Sequence, residues 1–325
     1  MHCVSRFIAA GVGVAACSLL ASVAIAQTYP AKAIRLILPF PPGGPTDIVG
    51  RLTGQKLSEQ VGQSVIADSR PGASGNVGLE LASKAPPDGY TIVLSSPVIS
   101  LSPHLYAKLN YDPQKDLAPI ALIGALRNVL VVHPSVPARN IKELVQIARK
   151  NPGKLNYGSG GVGTTTHLAP ELLKHLEKLD IVHVPYKGSG VALIALASGQ
   201  VDLEVLAVPA ALGQIQAGRV RALAVLAPQR AAQLPNLPTS KESGYENFEI
   251  SVWYGILAPA ATPREIINRL NSELNKVIAA PDMKEKMATS GVEPLGGTPE
   301  QFRDYIRSES VRFGNVIKAA GIKGE

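Results

Sequence analysis

The chain has 325 residues, 46% of them hydrophobic, 18% charged and 5% aromatic, with a net charge of +7. That length can bury a large core and favours two domains over one. Lys and Arg are scattered with no run of five, and aromatics are too few for base-stacking platforms, so the balance suits an anionic ligand and not a nucleic acid.

Residues 1–26 differ from everything after them. Arg6 supplies a positive start, Phe7 to Val23 is apolar and small, and Ala24-Ile25-Ala26 fits an A-x-A cleavage site before Gln27. The segment reads as a cleavable secretory signal. An uncleaved anchor is the first alternative, although the apolar run is at or below the roughly 18–20 residues a spanning helix needs. Lipidation at Cys17, after Val14-Ala15-Ala16, is the second. Both cysteines, Cys3 and Cys17, lie in this segment. A cleaved chain therefore has no thiol, which suits an oxidising compartment and excludes disulfides, cysteine nucleophiles and thiolate metal sites. Arg6 is the segment's only charged residue, so the remainder carries +6.

Short β-branched runs then alternate with helical patterns. Ile34 to Leu38 reads as a strand, followed by the turn-rich Pro39-Phe40-Pro41-Pro42-Gly43-Gly44-Pro45 and a helix from Thr46 to Val61. Thr46 is the expected N-cap, with Asp47 in the first turn complementing the helix dipole. Further strands are expected at 65–67, 91–94, 129–132, 155–157, 181–184, 201–205 and 221–225. Helices are expected at 77–84, 141–150, 165–179, 191–198 and 210–217. The alternation argues for parallel sheets covered on both faces, the α/β class. After Trp253 to Pro259 the chain turns mostly helical, over 263–279, 282–289 and 299–319. Thr262-Pro263 and Thr298-Pro299 each match a Thr N-cap with Pro at the first helical position.

Two loops join a strand to a helix through nearly side-chain-free backbone: Phe40 to Asp47, and Tyr157 to His167 with Ser159, Gly161, Thr164 and Thr165. Unpaired N–H groups and the dipole make a helix start an anion site, and α/β ligands bind outside the carboxyl ends of strands. A plain tight turn is the alternative for each loop. Ser95 and Ser96, just past the 91–94 strand, are grouped with these loops, and His167 lies in its helix's first turn. Gly158, Gly160 and Gly163 fit a dinucleotide spacing, but the next strand ends in His183-Val184-Pro185-Tyr186 and lacks the acidic residue that holds a ribose. No nucleophile elbow, phosphate loop or metal-binding His pattern is present, so no cofactor, no metal and no catalytic residue is expected.

The segments IRLILPFPPGGPTD (34–47), SRPGASGN (69–76), APPDGYT (85–91), KLNYGS (154–159), VHVPYKG (182–188) and GTPE (297–300) together resemble the Bug family. These are substrate-binding proteins of tripartite tricarboxylate transporters. The resemblance runs in order along essentially the whole chain after residue 26. It implies a two-lobed periplasmic binding protein fold of type II, with lobe 1 at 27–125 and 248–325, lobe 2 at 126–247, and a ligand cleft between the lobes. It further implies a monomer that hands a small carboxylate to membrane permease subunits, the carboxylate being held by the loops at Phe40, Pro42, Gly43, Gly44, Thr46 and Asp47 and at Ser159 to Thr165. A di- or tricarboxylate, or an aromatic carboxylate such as terephthalate, fits that role. The family often has M-F-D-N where this chain has Glu204-Val205-Leu206-Ala207, so Leu206 replaces an acidic residue expected to face the cleft. That change argues against amino-acid ligands. Arg127 is expected either to pair a second carboxylate or to be a surface residue. A sensory receptor for a membrane kinase and an α/β enzyme are the competing functions.

Overall fold

The computed structural model describes residues 29–40, 42 and 45–323. The expected signal segment with Cys17, and Gly43 and Gly44 of the first loop, lie outside the described residues.

Strands β1 (Ile34–Leu38), β2 (Val65–Ser69) and β3 (Thr91–Ser95) are parallel in the order β2-β1-β3. Helix α1 (Pro45–Val61) links the first two, α2 (Asn76–Ser83) precedes β3, and α3 (Val98–Leu105) follows it. The chain then enters β4 (Leu117–Val132), a 16-residue strand that is buried over most of its length. After α4 (Ile141–Lys150) come β5 (Asn156–Ser159), α5 (Thr165–Glu177), β6 (Val182–Pro185), α6 (Ser189–Ala197), β7 (Leu203–Ala207), α7 (Val208–Gln216) and β8 (Arg221–Val225). Strand β9 (Ser251–Pro259), helices α8 (Arg264–Ala279) and α9 (Pro281–Thr289), strand β10 (Val292–Pro294) and helix α10 (Pro299–Ala320) complete it.

One mixed sheet runs β2-β1-β3-β9-β4-β7-β5-β6, with β8 and β10 also paired to β4. The parallel pairing expected from the alternation holds for β1–β3 and for β5 with β6 and β7. It fails for β4, β8, β9 and β10, which are antiparallel. The cause is β4 itself. Up to Arg127 it pairs with β9 and β10, and from Asn128 onward with β7 and β8, so a single strand carries the backbone from one half-sheet to the other.

Local chemistry explains the helix ends. Pro45, not Thr46, opens α1, as Pro's fixed φ suits a first helical position. Pro263 is itself the N-cap of α8, and Thr262 is buried with a hydroxyl that has no partner among the described residues. Thr298 behaves as expected: it caps α10 in a reciprocal box with Gln301. Helix α3 was not expected, because Pro103 sits inside it and Pro97 caps it.

The two half-sheets have separate cores. Ile37, Leu79, Val93, Trp253 and Phe302 fill the first. Leu130, Leu144, Tyr157, Leu172 and Val205 fill one face of the second, joined there by Leu101 and Leu105 of α3 and by Phe313 and Ile317 of α10. The other face packs Val129, Val131 and Leu206 under α6 and α7.

Strand alternation puts Glu204 on the same face as Leu206, between Val131 and Gly158 in register. Glu204 is fully buried and neither carboxylate oxygen has a partner among the described residues. Burial pushes its pKa from 4.5 to about 9. The folded protein therefore keeps this carboxyl neutral while the unfolded chain ionises it above about pH 4.5. The resulting loss of stability begins there and grows until about pH 9. Replacing Glu204 with Leu is expected to raise the melting temperature at pH 8 by roughly 5 °C, and to flatten the decline in stability between pH 5 and 9 in calorimetric scans.

Candidate functional site

A cleft of about 270 Å³ opens where several helices begin. The first half-sheet contributes Phe40 and Thr46 around the start of α1, Ser74 before α2, Ser96 and Pro97 before α3, and Val252 of β9. The second contributes Val162, Gly163, Thr164 and Thr165 at the start of α5. Helix α3 adds a continuous stripe of Val98, Leu101, Ser102, Leu105 and Tyr106, spaced as one helical face. None of the described lining residues is charged. An anion here would meet helix N-termini, backbone N–H groups and hydroxyls.

The second loop is held by its own side chains. Ser159 Oγ accepts from Gly161 N–H at 3.2 Å and shares a 2.7 Å hydrogen bond with His183 Nε2. Gly160 N–H donates to Thr166 Oγ1 at 2.8 Å, and Gly163 N–H donates to His167 Nδ1 at 3.0 Å. Thr164 is the N-cap of α5 and its hydroxyl donates to Gly161 O at 2.7 Å. Gly161 and Gly163 have φ of 127° and 75°, conformations that a side chain would strain. These bonds leave the N–H groups of Val162, Thr165 and Thr166 without a partner among the described residues. The available donors are thus the residues between and after the glycines, not Gly161 or Gly163.

Behind the loop three rings stack. His167 lies 3.9 Å from His183, centroid to centroid, and His183 lies 4.8 Å from Tyr157. Tyr157 donates to Glu171 at 2.6 Å, as does Lys174. Burial, with His183 and Lys174 nearby, lowers the His167 pKa from 6.5 to about 3. His183 is also lowered, again chiefly by burial. His167 is therefore neutral, and the bond from Gly163 puts its proton on Nε2. The residue expected near a bound anion instead shapes the loop from below.

The first loop has its own support. Thr46 lies beside the buried Tyr254, whose hydroxyl burial pushes up to about 12. Asp47 is buried and ion-paired with Arg51 at 2.8 Å, so it balances a cation instead of facing the cleft. Pro42 is an exposed turn residue, and Ser95 is fully buried with its hydroxyl donating to Ser96 O at 3.2 Å. Ser74, missed by the sequence reading, has φ of 55°, beside Ala73 at 45°. Asn76 holds this strained turn by donating to Ala73 O while accepting from the Tyr111 hydroxyl.

One expectation is corrected and one pair of alternatives is decided. Leu206 is buried with Val129 and Val225 and does not line the cleft, because alternation along β7 turns it toward α6 and α7. Arg127 lines a separate surface depression, where Nε donates to Glu293 at 2.8 Å and the guanidinium also reaches Arg230 O. It is a tie at the point where β4 changes partners, and it does not reach the cleft. Among the described residues, no group of three or more His, Cys, Asp and Glu could hold a metal ion.

Residues 49–322 match the family described as tripartite tricarboxylate transporter family receptor. The chain is 40% identical over 311 residues to the UPF0065 protein in the tcbD-tcbE intergenic region of Pseudomonas sp. (strain P51), covering 92% of this chain and 93% of that one. It is 35% identical over 315 residues to protein BugT of Bordetella pertussis, covering 96% of each. Among solved structures, it is similar to R. palustris Rpa4515 with adipate, with a TM-score of 0.76 and 37% identity over 91% of this chain and 99% of that chain.

The neutral His167 sets an acid limit. With its folded pKa depressed, the stability it supports is fully present above about pH 6.5 and is lost as pH falls toward about 3. Replacing His167 with Asn keeps an acceptor for Gly163 without a titrating ring. The variant is expected to lose less melting temperature than the parent between pH 6.5 and 4. Replacing Arg127 with Ala should destabilise the fold by on the order of 2 kcal/mol, read by urea titration, and leave carboxylate affinity within about twofold.

Proposed function

The chain belongs to the tripartite tricarboxylate transporter receptor family, and from that premise we propose that it captures a small organic carboxylate in the periplasm and delivers it to membrane permease subunits. One observation carries this reading: the starts of α1 and α5, from opposite half-sheets, line one cleft whose described walls are uncharged. Two helix dipoles and free backbone donors then supply the positive potential that charged side chains do not. The N–H groups of Val162 and Thr165 bind the carboxylate from the second loop, with Thr46 on the opposite side. Phe40, Val98, Leu101, Leu105 and Val252 take the carbon skeleton. The adipate in the related R. palustris structure is a ligand of this kind. Residues 1–26 direct export. The lobes divide at 27–125 with 248–325, and at 126–247, and the ligand closes one on the other.

A thermal-shift screen of aliphatic and aromatic mono-, di- and tricarboxylates tests the ligand class. A true ligand at a hundredfold excess over its Kd adds about 2.7 kcal/mol of stability. The contribution of the loop is isolated by Thr165→Pro. Thr165 is the first helical residue, and Thr164 before it is extended at φ −75° and ψ 162°, so proline fits and removes the N–H along with a hydroxyl whose own loss is controlled by Thr165→Val. The proline variant should fold normally and bind the carboxylate about tenfold more weakly or worse. A screen in which amines or sugars shift the melting temperature and no carboxylate does would overturn the proposal.

A further inference from the structure

Ser102 lies within the α3 stripe that lines the cleft, between Leu101 and Leu105 and one turn on from Val98. Its side chain is fully buried, and its hydroxyl has no hydrogen-bond partner among the described residues. The neighbouring serine on the same helix, Ser100, behaves otherwise: its hydroxyl donates to Ile306 O of α10 at 3.1 Å. One turn later, His104 reaches Ser310 of the same helix at 2.9 Å. Helix α3 therefore satisfies its polar groups on the α10 side and leaves one unsatisfied on the cleft side.

A buried hydroxyl without a partner destabilises the fold, and an apolar residue of similar size would not. The surroundings are Leu101, Leu105, Tyr106 and Val98, which would accommodate alanine or valine. Ser102 lines the ligand cleft, and its hydroxyl is enclosed in the empty protein, so a ligand oxygen reaches it once the side chain turns about χ1. We infer that Ser102 is a specificity-determining residue, whose hydroxyl pairs with a second oxygen on the bound acid, apart from the carboxylate held by the helix starts. The ligand class is then a carboxylic acid with an apolar carbon chain bearing one further oxygen function, and a plain fatty acid of the same length is discriminated against. This rests on the carboxylate reading of the cleft. Ser102 donates to or accepts from that oxygen, and no cation among the described lining residues competes for it.

The experiment compares hexanoate, 6-hydroxyhexanoate and adipate by calorimetry on the parent chain and on Ser102→Ala. In the parent, at least one of the two oxygenated acids is expected to bind about 5- to 10-fold more tightly than hexanoate. In Ser102→Ala this preference should collapse to within about twofold, hexanoate affinity staying as it was. A second measurement needs no ligand. Removing an unpaired hydroxyl should leave the apo melting temperature unchanged or higher, whereas a fall would mean that the hydroxyl has a partner within the protein and would overturn the inference. If the acids bind but the variant keeps the parent's preference, or the parent has none, the inference fails while the carboxylate reading stands. If none of the three acids binds, at concentrations where another carboxylate does, Ser102 does not select this chemistry and the inference fails alone. If no carboxylate binds at all, both fall.

Discussion

The arrangement of the site depends on one backbone constraint, the change of partners along β4. Leu126 is flanked by Val252 and Val292, and three residues later Val129 is flanked by Leu206 and Val225. The return crossing lies alongside, since Leu226 N–H donates to Asn128 O and Ile250 N–H to Leu226 O. Asn128 adds a side-chain bond to Ile250 O at 3.2 Å. Both covalent connections between the half-sheets thus pass through one hydrogen-bonded neck. Any rotation of one half against the other has to turn there, and Arg127, bound to Glu293 and Arg230 O, lies on it. The cleft is assembled from both halves, so its width depends on this neck together with the packing of α3 and α10 against the second half-sheet.

Within that frame the chemistry is one of fixed dipoles. A lysine or arginine in the cleft would bind any anion strongly and with little regard to shape, and its flexible chain would cost entropy on ordering. Backbone N–H groups at the start of α5 are already ordered by Thr164, Thr166, Ser159 and His167. The protein's own hydrogen bonds hold them in place, so little freedom would be lost on binding a ligand. The His167–His183–Tyr157 stack serves that order. Its rings bury one another and stay neutral at ordinary pH, keeping Nδ1 of His167 an acceptor for Gly163.

Much of this was legible in the sequence, and the exceptions have physical reasons. The strands β1, β2, β3 and β8 and the helices α4 and α10 were marked by β-branched runs, helical spacing and caps such as Thr298-Pro299. Both loops were visible because strand, Gly-rich turn and hydroxyl-bearing helix start follow in order. Helix α3, a whole wall of the cleft, was hidden by Pro97 and Pro103, although Val98, Leu101 and Leu105 keep helical spacing. The first part of β4 was hidden because Pro119 and Gly124 interrupt its run, and register shifts near them show the ladder bending there. Leu206 was misplaced, and Arg127 was left open between two readings, for a different reason. Which way a residue near a strand crossing points is set by pairing partners far away in the chain, and local pattern carries no record of those.

Two buried polar groups without partners, Glu204 and Ser102, look alike in isolation and differ in what surrounds them. Glu204 lies under α6 in a packed cluster with Val131 and Leu206, and it lines neither the cleft nor the depression at Arg127. Its oxygens can be relieved only by protonation, so its effect is on stability as a function of pH. Ser102 has the same deficit among the described residues but lines the cleft, so a turn of its side chain lets a molecule entering the cleft supply what the fold withholds. A hydroxyl that is poorly satisfied in the empty protein and satisfied in the complex adds its full bond energy to binding instead of to folding. Where an unpaired group lies relative to empty space, more than the fact that it is unpaired, decides whether it is a liability of the fold or part of the site.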